Sequence, residues 1–358
     1  MKIRNNAKYN LVIPTSMGVR ITPKNRQPVH VSREYTMHST SAESNVGQIC
    51  ASLGYPVKLL TTFVKDDAIA NFIKAELRFR NIEYEGPDVP KGGPWGYRHQ
   101  FNIADSGYGL RAPEVTNDRA GEVGRTLNVK DFDLDRIFGE EGAKIVHMSG
   151  LIAALSPETS EFCLAIARKA KEYGTLISFD LNFRATFWKN REEELSKAFH
   201  EIANQADILI GNEEDYQLAL GIPGPETELT AGLEDKISAF REMITRVHKA
   251  YPNCAVFANT LREVKNANEH EWGAIVYENG NWHIEMPRSI QVYDRIGGGD
   301  GFVGGLLYAI STGKDPADWV KIAWATGALA ATMLTDYGTP MNEGQIWSIY
   351  EGNARVKR

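Results

Sequence analysis

The stretch Tyr293–Ile310, YDRIGGGDGFVGGLLYAI, sets three consecutive glycines and one aspartate at the mouth of an apolar, helix-length run. A strand-like segment, WHIEMPRSIQVYD, precedes it, and the apolar run continues to Gly313. Gly297, Gly298 and Gly299 are therefore expected at a helix N-terminus, where unpaired backbone N–H groups and the positive end of the helix dipole favour an anion. Asp300 puts a carboxylate where that anion would lie. It makes little sense as an anion binder and good sense as a general base, taking a proton from a hydroxyl that attacks a phosphate. The structural alternative is an acid in the first helical turn. Gly299, Gly301 and Gly304 also spell Gly-x-Gly-x-x-Gly, but no following strand brings an acid for a ribose. No Gly-x-x-x-x-Gly-Lys-Ser/Thr occurs either.

Elements elsewhere in the chain must bring partners to this turn. From about Lys144 onward, short apolar runs end in polar residues and alternate with amphipathic segments. The runs are KIVHMS to Ser149, LISFD to Asp180, DILIGN to Asn212 and AVFAN to Asn259. In residues 234–250, Ile237, Phe240, Ile244 and Val247 recur at helical spacing. Apolar strands alternating with amphipathic helices predict an α/β fold with a mostly parallel sheet covered on both faces. Ligands of such sheets lie beyond the carboxyl ends of the strands, so Ser149, Asp180, Asn182, Asn212 and Asn259 are expected on one rim. Each could equally be a turn former or helix cap. The N-terminal third differs: QPVHVSREYTM (27–37) and GYRHQFNIAD (96–105) alternate like strands of a small sheet, with helices expected over 43–53 and 66–80. The expectation is one domain, 1–358, with a β lid built from about 14–40 and 86–125.

Composition narrows the partners. The 358 residues carry 40 Lys and Arg against 46 Asp and Glu, a net charge of −6, with the basic residues scattered. That excludes the basic footprint of a nucleic-acid binder and favours a small-molecule partner. Cys50, Cys163 and Cys254 lie far apart without a Cys-x-x-Cys pair, as expected of buried thiols in a reducing compartment rather than a disulfide framework or zinc site. No apolar run reaches the roughly 18 residues of a membrane span, and the N-terminus has too short an apolar core for a signal peptide, so a cytoplasmic protein is expected.

The motif Asp294-Arg295-Ile296-Gly297-Gly298-Gly299-Asp300 resembles the signature of the ribokinase-like (PfkB) sugar kinases, with glycine where many members have alanine. AESNVGQICASLG (42–54), the helix VKDDAIANFIKAELRFRNIE and NEEDYQLALG (212–221) are similar to further family motifs, with Asp215 replacing the usual Glu. Within the family, SFDLNFRATFW (178–188) and DRAGEV (118–123) look most like 2-keto-3-deoxygluconate kinases.

The resemblance implies an ATP-dependent kinase that phosphorylates the terminal hydroxyl of a small sugar or sugar acid, most like 2-keto-3-deoxygluconate. Asp300 would be the base, and the Gly297, Gly298 and Gly299 amides the anion hole. Asn212 and Asp215 would act near the phosphates and Mg²⁺, and Thr260 would contact nucleotide. The small-residue helix WATGALAATM (324–333) would either wall the adenine or simply pack closely. Arg184 and Arg119 match positions that hold a substrate carboxylate, a geometry suited to a planar guanidinium. Tyr97 and Asn45 would contact hydroxyls. Thr40-Ser41, Thr15-Ser16 and Asn117 depart from the family pattern, all on the acceptor side. The residues also leave room for a neutral-sugar kinase, fructokinase-like, or a non-catalytic sugar-binding regulator. A monovalent cation requirement and a homodimer formed through the exposed lid sheet stay open.

Overall fold

The computed structural model describes residues 1–224 and 232–355. A nine-stranded sheet forms its centre, in the order β15-β14-β13-β12-β11-β10-β1-β4-β6. The members are β1 (Tyr9–Pro14), β4 (Val57–Leu60), β6 (Glu83–Glu85), β10 (Ala143–Ser149), β11 (Leu176–Asp180), β12 (Ile208–Ile210), β13 (Val256–Asn266), β14 (Glu269–Glu278) and β15 (Asn281–Gln291). All pairs from β6 to β13 run parallel, and only β13–β14 and β14–β15 are antiparallel. Every residue of β1, YNLVIP, is buried, which is why its sequence is a near-continuous apolar run.

The strand pleat divides those apolar residues between two cores. Val12 joins Val146, Ile177 and Phe179 on one face, under α3 (Gly150–Ala153), α4 (Pro157–Glu172), α5 (Ala185–Trp188), α6 (Glu192–Ala203), α7 (Glu213–Leu220) and α8 (Leu233–Ala250). Leu11 and Ile13 join Ile145 and Leu176 on the other, under α1 (Ala42–Ser52), α2 (Ala68–Phe79), α9 (Gly298–Ser311), α10 (Pro316–Ala330) and α11 (Glu343–Tyr350). Ile237, Phe240, Ile244 and Val247 all face the core from α8, as their spacing predicts. The three cysteines are buried and unpaired; burial pushes their thiols up, that of Cys50 to about 12. Among the described residues no helix is long and apolar enough to cross a membrane.

A four-stranded sheet, β3-β2-β8-β9, covers the carboxyl rim of the large one: β2 (Gly18–Pro23), β3 (Tyr35–Thr40), β8 (Gln100–Ala104) and β9 (Val115–Asp118). A short pair, β5 (Phe63–Val64) and β7 (Asp88–Val89), lies beside it. The strand expected over 27–37 begins only at Tyr35. Pro28 opens a turn whose carbonyl accepts from the amides of Val31 and Ser32 at 3.3 and 3.2 Å, so the residues before Tyr35 are not extended. The strand expected to end at Asn259 runs on to Asn266, because β14 pairs antiparallel along its charged half. Both β2 and β14 went unread in the sequence.

Candidate active site

Two cavities lie between the large sheet's rim and the lid, one of about 720 Å³ and one of about 610 Å³. They share Val115, Asn182, Arg184, Ile296, Gly297 and Asp300. Asp300 therefore stands at the wall between two ligand-sized spaces, at the N-terminus of α9.

The local backbone explains the glycines. Gly297 has φ +84°, and a Cβ there would meet the Asp336 carbonyl oxygen at 1.7 Å, so no side chain fits. At Gly299 a Cβ would meet no protein atom within 4 Å; it would instead fill the smaller cavity, which Gly299 lines. The glycine thus leaves room for a ligand against the helix amides. Gly298 is buried behind them, 3.7 Å in Cβ terms from Trp272. The Asp300 carboxylate accepts a hydrogen bond from Asn45 Nδ2 at 2.9 Å. Burial raises it to about 7, with Asp336 and Glu43 adding to the rise against the Asn45 hydrogen bond and the Arg184 charge.

The larger cavity takes its walls from the lid. Arg20, Thr40, Gln100, Asn102 and Asn117 share the inner face of the small sheet, as their pairing register requires. Asn45 Oδ1, Gln100 Oε1 and Asn102 Oδ1 are buried without hydrogen-bond partners among the described residues. Buried polar atoms without partners are costly, so three of them on residues lining one cavity suit a ligand rich in hydroxyls. Beneath them, Arg20 pairs with Asp336 and, at 2.6 Å, with Asp294. Thr40 Oγ1 donates to Asp336 at 2.6 Å, and Ser106 Oγ to Asp294 at 2.7 Å. Against the upward push of burial, Arg20 and its neighbours hold Asp336 below its usual value. Arg20 was not singled out in the sequence; its signal was a lone charge inside the alternating GVRITP. Ser41 caps α1, accepting from Ser44 N at 3.0 Å.

The two anticipated arginines differ. Arg119 is engaged, donating from Nη1 to both oxygens of Glu122 at 2.8 and 3.0 Å and lying over the Phe187 ring. Arg184 has no carboxylate partner among the described residues, donates only to the Phe183 carbonyl, and lines both cavities. Tyr97 lines neither. It sits on the turn-rich segment before β8, exposed, its amide bonded to Lys91 O.

The smaller cavity gathers Asn212, Asp215, Asn259, Thr260 and Asp180 from the rim, with Phe302, Val303 and Trp272 as apolar surface. Asn212 and Asp215 form a reciprocal capping box at α7, and Asp215 also accepts from Phe183 N at 2.9 Å. Each oxygen of the shorter Asp thus accepts from one backbone amide. Burial and the nearby charges of Asp215 and Asp300 push Asp180 well above the carboxylate range. Residues 324–333 wall neither cavity. They pack against α9 instead: Cβ atoms at Gly301 and Gly305 would meet Thr326 O at 2.7 Å and Thr326 Oγ1 at 2.0 Å.

The sequence profile of pfkB family carbohydrate kinases matches residues 134–250 and 271–339, more than half of the chain. The protein is a member of this family. As a PfkB carbohydrate kinase it resembles the 5-dehydro-2-deoxygluconokinase of Clostridium tetani, with 26% identity over 85% of this chain and 81% of the relative. The 2-dehydro-3-deoxygluconokinase of Bacillus subtilis is 25% identical, over 88% of this chain and 87% of its own length. Among solved structures, the 2-dehydro-3-deoxygluconokinase from Thermotoga maritima superposes with a TM-score of 0.86 at 26% identity, covering 96% of this chain and all of the other. A ribokinase II from E. coli, solved in complex with ATP and Mg²⁺, shares the fold at TM-score 0.74 and 18% identity, over 96% and 100% of the two chains.

Proposed function

We propose that this PfkB kinase transfers the terminal phosphoryl group of ATP to the primary hydroxyl of a small keto-deoxy sugar acid, with 2-keto-3-deoxygluconate the first substrate to test. The observation that carries the reading is Asp300, raised to about 7, standing between two cavities at a glycine-lined helix N-terminus. The acceptor occupies the larger cavity, its hydroxyls meeting Asn45, Gln100 and Asn102. Asp300 takes the proton as the hydroxyl oxygen attacks the terminal phosphorus, whose bond to the bridging oxygen breaks so that ADP leaves, and a base titrating near the working pH is suited to that transfer. The amides at Gly298 and Gly299 stabilise charge developing on the transferred group. Lid strands β2, β3, β8 and β9 exclude water, which would otherwise compete as acceptor.

The donor's phosphates lie in the smaller cavity beside Asn212, Asp215 and Thr260. Among the described residues no group of three or more His, Cys, Asp or Glu is arranged to hold an ion alone. This fits Mg²⁺, which binds through substrate phosphates, water and one or two carboxylates. Asp215 and Asp180 would hold it, and it supplies charge neutralisation at the phosphates. Similarity to sugar-acid kinases supports the acid class, and Arg184, without a carboxylate partner among the described residues, supplies a cation for a carboxylate. A neutral-sugar reading draws on one observation: Glu122 already neutralises Arg119. Sugar-dependent ATP consumption, measured over keto-deoxy sugar acids and neutral ketohexoses, decides between them. Turnover of neutral sugars alone would overturn the acid reading.

A further inference from the structure

Arg262, on β13, and Arg295, inside the glycine motif, both line the smaller cavity with Gly299 and Asp300. Neither forms an ion pair or a side-chain hydrogen bond among the described residues, although carboxylates are plentiful elsewhere on the surface. Two like charges converging on one space oppose each other unless an anion joins them. Their field is felt locally. Loss of water around its guanidinium and the Arg295 charge push Arg262 down from its usual value. Burial and both arginines push the imidazole of His270 down to about 4, so it is neutral at pH 7 and adds no charge to the pair. The acids lining the same cavity, Asp180, Asp215 and Asp300, leave this pair unneutralised: two of Asp215's contacts are backbone amides, and Asp300 is bonded to Asn45.

We infer that Arg262 and Arg295 form a clamp on the non-transferred phosphates of the nucleotide donor. The inference rests on the donor-site reading above and deepens it. The guanidiniums would grip phosphates present in both donor and product, so the clamp adds uniform binding: it tightens ATP and ADP alike and contributes little to the chemical step. Arginine suits this by bidentate bonding to phosphate oxygens, which lysine cannot reproduce.

Calorimetric titration of ADP and of adenosine into the wild type, R262Q, R295Q and the double variant tests the clamp. The expectation is an ADP dissociation constant raised about tenfold to a hundredfold in each single variant, with adenosine binding unchanged. The wild-type ADP affinity should also fall steeply with salt, more so than in the double variant. Equal weakening of ADP and adenosine would mean general damage to the site and overturn the clamp. Unchanged ADP affinity in the variants, with tight binding by the wild type, would overturn the clamp alone. A wild type that binds no ADP would overturn the donor-site reading and the clamp together.

Discussion

Replacing Asp300 by Asn keeps the size of the side chain and its place in the first turn of α9 while removing its ability to accept a proton. Turnover should fall by about 10² to 10⁴. Asn45 can still donate to the amide oxygen, so the fold and the cavities should survive. The same substitution should stabilise the protein. Burial lifts the Asp300 carboxyl from 3.8 to about 7, which means the folded state holds a proton that the unfolded state releases above about pH 4. Stability from this group is therefore present below the unfolded value and is lost as pH rises through 7. A rise of about three pH units corresponds to roughly 4 kcal/mol, but the carboxylate opens onto cavity water, and solvent screening reduces that to about 1–2 kcal/mol. At pH 8 the variant should melt about 1–3 °C higher than the wild type. Wild-type turnover should rise with pH through about 7, and the variant should lose that dependence. The assays are sugar-dependent ATP turnover from pH 5.5 to 8.5 and thermal melting over the same range. A folded Asp300→Asn variant with near-normal turnover would refute the base assignment, and one that melts lower than the wild type at pH 8 would refute the argument from burial.

Three further outcomes follow from the geometry. Gly297→Ala forces a side chain into a left-handed backbone 1.7 Å from the Asp336 carbonyl oxygen, so it should lose at least about 2 kcal/mol in urea unfolding and most of its turnover. Arg184→Ala should raise KM for an acid acceptor tenfold or more while leaving neutral sugars unaffected; equal losses on both would count against a carboxylate partner. Arg20→Leu leaves Asp294 and Asp336 buried without their cation and should lose about 3–5 kcal/mol, measured by denaturant midpoint, whereas a near-neutral result would mean that water or His38 takes its place.

Much of this was legible because its physics is local. The alternation of apolar runs and amphipathic segments identified the parallel sheet and both helical layers, and the glycine run before Asp300 marked a helix start that the backbone at Gly297 requires. What escaped reading depends on pairing between distant segments. Gln100 and Asn102 alternate with Phe101 and Ile103, and polar residues of such a strand read as solvent-facing; here the lid turns that polar face inward over a cavity. Arg20 reads as a surface charge until Asp294 and Asp336 are brought to it from the far end of the chain. The helix at 324–333 offered two explanations for its small residues, and close approach to α9 is the one seen. Arg119 matched a motif, but nothing local announced that Glu122, three residues on, would occupy it.

The buried Arg20 cluster also sets a timetable for synthesis. Its partners lie 274 and 316 residues downstream. A ribosome adding about 5–20 residues per second needs roughly 15–60 s to pass from Arg20 to Asp336. For that interval β2 and β3 lack the carboxylates that compensate their guanidinium, and the lid root cannot close. Fragments released early would carry an uncompensated cation in their would-be core and stay open to chaperones and proteases. The last anion to leave the ribosome thus acts as a latch: only a chain that has reached Asp336 can seal the strands that cover the larger cavity.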